Sequence, residues 1–111
     1  MSARSKQFEA IDNFRLEVEG HTYTLRRPTP AEAIGLADST GLDLVHRFVV
    51  GWDHTELSLG FPGGTDRPEP FDADLWVAYV DRHPVLWKPL AESILDAYAV
   101  RRTALEDAAK N

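Results

Sequence analysis

The groups in this chain best suited to chemistry are its four histidines, His21, His46, His54 and His83, and the carboxylate directly before one of them, Asp53. A histidine paired with a carboxylate can act as a general base, and three or four converging ligands can hold a metal ion. The spacing argues against both uses. Asp53 and His54 are adjacent, so on a helix or a strand their side chains leave in different directions. No two histidines stand four apart, and H-E-x-x-H does not occur. His21 falls beside a turn, His46 before an apolar helical face, and His83 at a helix end, where an imidazolium complements the dipole. Each histidine is therefore read as structural or solvated, and no catalytic, metal or cofactor residue is assigned.

The other motifs fail for similar reasons. Gly60-Phe61-Pro62-Gly63-Gly64 is glycine-rich. No strand leads into it and no Lys-Ser pair follows, as a phosphate loop requires. Ser93 lacks a G-x-S-x-G elbow. The pairs Asp72/Asp74 and Glu106/Asp107 fall at a helix end or on a solvated face. Trp52-Asp53 has no period of about 40 residues to make it a propeller repeat. With no cysteine there is no disulfide and no thiolate nucleophile or ligand, which fits a reducing compartment.

Charge excludes further classes. The net charge is −6, and the tight basic pairs are Arg26-Arg27 and Arg101-Arg102. A nucleic-acid track needs clustered positive charge, so no nucleic acid is expected as a partner. No run approaches the roughly 20 apolar residues of a membrane span, and the N-terminus lacks the apolar stretch of a signal peptide. The expectation is a soluble intracellular protein. A length of 111 residues bounds it to one domain with one modest core.

The elements follow from pattern. Phe14–Leu25 predicts a hairpin with Glu19-Gly20 as its turn, because Gly20 takes the positive φ such turns need. Val18 then faces His21, Leu16 faces Tyr23 and Phe14 faces Leu25. All six share one side, and Arg15, Glu17, Thr22 and Thr24 share the other. Thr29, Pro30 and Glu32 form a capping box for a helix running to about Ser39, with Ile34, Leu36 and Ala37 inward and Gly41 as its left-handed stop. A second helix is predicted from Leu42 to Trp52 on Leu42, Val45, Phe48, Val49 and Trp52. Residues 53–71 carry enough glycine and proline to read as one long loop, which Leu57, Leu59 and Phe61 tether to the core. Asp72 caps a third helix with Leu75, Trp76, Tyr79 and Val80 as its stripe, ended by Pro84. The last and longest helix starts near Trp87, since Pro89 fits only a first turn. Its stripe includes Leu90, Ile94, Leu95 and Leu105. Residues 1–13 read as a flexible N-terminus and 14–111 as the domain. The fold class is α+β, mostly helical, with an N-terminal hairpin packed on about four helices.

Three tryptophans, three tyrosines and five phenylalanines remain to be placed. Aromatics dominate the cores of small domains, yet they are also enriched where proteins bind proteins. Leu57, Leu59, Phe61 and Trp76 are the partner-binding candidates, on expected exposure in the loop and on aromatic content.

Taken in order, FRLEVEGHTYTLRRPTPAEA, the segment ending RFVVGWD, the loop leading to PEPFDADLW, then HPVLWKPLAESILDAY and the closing AAKN resemble the small tail assembly chaperones of long-tailed bacteriophages and prophages. The resemblance implies a non-enzymatic role in the host bacterial cytoplasm. Such a protein coats the tape measure protein and keeps it soluble during tail morphogenesis, recruits tail tube protein, associates with itself, and is absent from the mature virion. A structural virion protein, such as a head–tail connector or tail component, is the alternative. A small hydrolase or metal enzyme using Asp53, His54 and a further histidine is a distant third.

Overall fold

The turn at Glu19-Gly20 sets everything that follows. Both residues have positive φ, 53° and 79°, the pair of values that lets two antiparallel strands keep their natural twist across a two-residue loop. The strands β1 (Asn13–Val18) and β2 (His21–Arg26) pair in the expected register, with Val18 opposite His21, Leu16 opposite Tyr23 and Phe14 opposite Leu25. The computed structural model describes Arg4, Gln7 and residues 11–110, apart from the side chains at 37, 101, 104, 105, 109 and 110. Most of the segment expected to be flexible, and the side chains of Ala37 and Leu105, lie outside the described residues.

After β2, helix α1 (Pro30–Ala33) opens on the predicted capping box, with Thr29 and Glu32 bonding each other's backbone N–H. It is shorter than expected. A separate 3-10 turn, Leu36–Asp38, follows it, and Ile34 is 85% exposed rather than inward. Gly41 does not end this helix. It begins the next, α2 (Gly41–Phe48), because Thr40 and Asp43 form a second capping box one residue earlier.

The main correction comes at the end of α2. The predicted helix to Trp52 stops at Phe48, and Val49–Trp52 become a third strand, β3, paired antiparallel with β2. The sheet order is β1-β2-β3. A lone hairpin is marginal in water, and the open side of β2 offered hydrogen bonds that a further helical turn could not match. Val49 and Val50 are β-branched and suit a strand. Gly51 lets the two strands approach closely, since a Cβ on it would stand 3.0 Å from the Thr24 Cβ and would need that side chain to shift.

The remaining elements are helix α3 (Ala73–Val80), capped by Asp72, a 3-10 turn (Pro84–Leu86), and helix α4 (Trp87–Lys110). The architecture is therefore α+β, with the longest helix at the C-terminus. The core lies between the sheet and the helices. Tyr23 and Leu25 from the sheet meet Val45 and Phe48 of α2, Trp76 and Val80 of α3, and Leu90 and Ile94 of α4, each at most 1% exposed. A fully buried side chain of this size contributes roughly 1.5–3 kcal/mol by area. Trp76 also donates its indole N–H to the Val45 carbonyl at 3.0 Å. Outside the core, Glu32 accepts both terminal nitrogens of Arg26 at 2.6 and 2.9 Å and one of Arg47 at 3.1 Å, joining α1 to β2 and α2. The Arg26 hydrogen bonds hold its carboxyl down at about 2.

Candidate functional site: a buried histidine cluster and an open apolar groove

β3 decides where Asp53 and His54 point. Trp52 stands opposite Tyr23 on the core side. Just past the end of β3, Asp53 turns outward and is exposed, while His54 turns in. His54 is 1% exposed. The His21 ring stacks on it at 4.2 Å, Tyr79 approaches edge-on at 4.9 Å and Trp52 at 5.4 Å.

Both ring nitrogens of His54 are used. Nε2 lies 2.7 Å from the Tyr23 hydroxyl and Nδ1 lies 2.9 Å from Ser58 Oγ. Ser58 Oγ also accepts the Thr55 N–H at 2.8 Å and lies 3.2 Å from the Thr55 carbonyl, to which its own proton can go. One proton arrangement satisfies all these groups: Tyr23 O–H donates to Nε2, Nδ1–H donates to Ser58, and Ser58 O–H donates to Thr55 O. The reverse direction would leave the buried Tyr23 proton with no acceptor. Burial, with the nearby His21 as a lesser cause, pushes the His54 imidazole down to about 4, so it is neutral at pH 7. Burial likewise pushes the Tyr23 and Tyr79 hydroxyls up.

On the outer side, His21 Nδ1–H donates to Asp53 Oδ1 at 3.1 Å. Partial burial works to raise the Asp53 carboxyl, but the Thr22 backbone N–H and the His21 bond outweigh it and hold the carboxyl below its usual range. The other histidines are also engaged. His46 Nε2–H donates to Asp81 at 2.6 Å, and His83 Nδ1–H donates to the Tyr79 carbonyl at 2.7 Å.

A Ser–His pair invites comparison with a hydrolase, but Ser58 is a turn residue whose hydroxyl is held by its own loop. Among the described residues, the linings of the open grooves on α3, on α4 and on the outer face of the sheet include none of Tyr23, His54 and Ser58. Among the described residues no three His, Cys, Asp or Glu side chains gather as metal ligands. No helix of the described residues is long and apolar enough to cross a membrane. The cluster fastens the start of the loop to the sheet and to α3.

The loop itself closes by an isolated bridge between Thr55 and Pro68, and Trp52 donates its indole N–H to the Glu69 carbonyl at 2.8 Å. Between the loop and α3 lies an open groove of about 230 Å³. Leu59 and Phe61 form its loop wall, Leu75, Ala78 and Tyr79 its helix wall, and Arg82 and His83 its rim. The groove is overwhelmingly apolar. Phe61 stands 38% exposed at its edge.

The four partner-binding candidates separate cleanly. Leu59 and Phe61 line the groove. Leu57 is 58% exposed but outside it. Trp76 is a correction: at 0% exposure, and hydrogen-bonded to Val45, it is core and presents nothing to a partner in this fold. The residues missed were Leu75, Ala78, Tyr79 and Arg82. Their spacing was a signal, since i, i+3, i+4, i+7 marks one face of a helix. It lies beside the Trp76/Val80 stripe, and the two merge in sequence into one broad apolar surface. Compared with known proteins, the chain matches no family model, no curated protein and no solved structure.

Proposed function

We propose that this protein is a non-enzymatic tail assembly chaperone, and that its groove receives apolar residues of a helical segment of the tape measure protein in the host cytoplasm. The observation that carries the reading is the contrast inside one site. The polar groups able to do chemistry are committed to each other, while the apolar wall made by Leu59, Phe61, Leu75, Ala78 and Tyr79 is left open. A concave apolar groove can take apolar side chains of a partner, and an amphipathic helix offers such side chains at i, i+3, i+4 and i+7. The net charge of −6 suits a basic partner and keeps the complex soluble. The order of sequence segments that resembles tail assembly chaperones supplies the identity of that partner.

The test is co-expression with the tape measure protein from the same gene cluster. Wild-type protein should raise the soluble fraction of that partner and co-purify with it. Ala78→Glu, which places a charge in the groove wall, should do neither while remaining folded. An unchanged soluble fraction with wild-type protein would refute the proposal. Mass spectrometry of purified particles separates the alternative, because a connector or tail component stays in the virion and a chaperone does not.

A further inference from the structure

The outer edge of β1 carries a pattern that the groove does not use. In a hairpin closed by two residues, the pair flanking the turn is hydrogen-bonded, so Val18, Leu16 and Phe14 direct their backbone groups to β2. The bond from Arg27 N to Asp12 O, at 2.9 Å, continues the same parity. The backbone N–H and C=O of Arg15 and Glu17 therefore point away from the sheet. Among the described residues no strand pairs with that side of β1. The side chains of Arg15 and Glu17 are exposed and face the neutral Thr24 and Thr22 across the hairpin. Neither is in an ion pair among the described residues.

We propose that β1 pairs antiparallel with β1 of a second copy, about a two-fold axis at Leu16. In that register Arg15 of each copy stands opposite Glu17 of the other. Both pairs are of the kind that exchanges both backbone hydrogen bonds. On the core side Phe14 faces Val18 of the second copy, and these half-buried residues gain cover from each other. The sequence selects this register. A shift by two residues either way centres the contact on Arg15 against Arg15 or on Glu17 against Glu17, and like charges directly opposite are destabilising. A shift by one residue sets outward backbone groups against inward ones and pairs nothing. The interface is isologous, as two-fold contacts are, and gives a continuous sheet across the dimer. It does not depend on what the groove binds.

Sedimentation equilibrium of the full chain tests the pairing. At low salt, over about 5 to 500 µM, the range suited to a small interface, the average mass should climb from 12.4 kDa towards twice that value. Arg15→Glu alone and Glu17→Arg alone should each weaken the dimer by roughly tenfold or more, since both opposed pairs become repulsive. The double variant R15E/E17R should restore it. An equimolar mixture of the two single variants should also associate, because two acidic side chains on β1 of one variant then meet two basic ones on β1 of the other. Circular dichroism checks that each variant keeps its fold. A wild-type protein that stays monomeric over the whole range overturns the proposal. So does a dimer indifferent to the reversals, or one that the double variant and the mixture fail to restore.

Discussion

Helix α3 has two working sides, and they differ in how completely their atoms are used. On one side Trp76 and Val80 are fully buried against the sheet and α2, and the Trp76 N–H has its acceptor. On the other, Leu75, Ala78 and Tyr79 face the loop across an open groove. Tyr79 belongs to both, since its ring edge touches His54 while its face lines the groove and stacks on His83 at 4.0 Å. The first side spends apolar and polar groups on stability. The second leaves apolar area uncovered, so the gain of burying it is realised only when another molecule covers it. Function is therefore sought on the side that the fold leaves unfinished.

The largest effect should come from breaking the finished side. Trp76→Ala removes the centre of the core and the indole hydrogen bond to the Val45 carbonyl, at a cost of about 3–5 kcal/mol. Urea unfolding should show a large fall in midpoint, or no cooperative transition at all. A loss below about 1 kcal/mol would contradict the burial argument.

Acid should act through the same side. His54 titrates near 4 when folded and near 6.5 when unfolded. Its stabilising contribution is complete above pH 6.5 and is lost as pH falls from there to about 4, because only the unfolded chain takes up the proton. The loss is about 3 kcal/mol. Glu32 adds a second loss between 4.5 and about 2, since its carboxyl is held low by Arg26. Unfolding curves of wild type and His54→Phe should therefore diverge most between pH 6.5 and 4.5. Parallel curves there would show that His54 is not held neutral.

Tyr23→Phe is a smaller change. It removes the donor to His54 Nε2 and leaves that nitrogen buried without a partner, at a cost of roughly 1–2 kcal/mol. Thermal unfolding reads it directly. No change would mean that the hydroxyl is dispensable to the cluster.

Phe61→Ala should have the least effect on stability, within about 1 kcal/mol, because the ring is partly solvated already. Its effect on partner binding should be tenfold or more, since aromatic anchors dominate such contacts. A variant that loses stability but keeps binding would reverse the assignment of the two sides.

Most local signals in the sequence were read well, the length of α1 and the Gly41 stop excepted, and long-range ones poorly. The hairpin register, the Thr29/Glu32 box, the Asp72 cap and the start of α4 each depend on residues a few positions apart, and all are found as expected. β3 depends on a partner strand far away in the chain, with Trp52 meeting Tyr23, and the helical spacing of Leu42 to Trp52 concealed it. Missing β3 also hid His54, since the chain leaves that strand at Trp52 and places residue 54 against Tyr23 of the neighbouring strand. In α3 the two apolar stripes overlap in sequence, so Trp76 looked as available as Phe61. The groove exists only when the loop folds back along the helix, and nothing in Leu59 or Phe61 alone specifies that approach.

The most direct measurement is a chemical-shift titration of isotope-labelled protein with a peptide from an amphipathic helical segment of the tape measure protein. Saturable shifts confined to Leu59, Phe61, Leu75, Ala78 and Tyr79, and absent in Ala78→Glu, are the expected result. No saturable shift, or shifts gathered instead on the Ala99, Val100 and Thr103 surface of α4, would contradict the account.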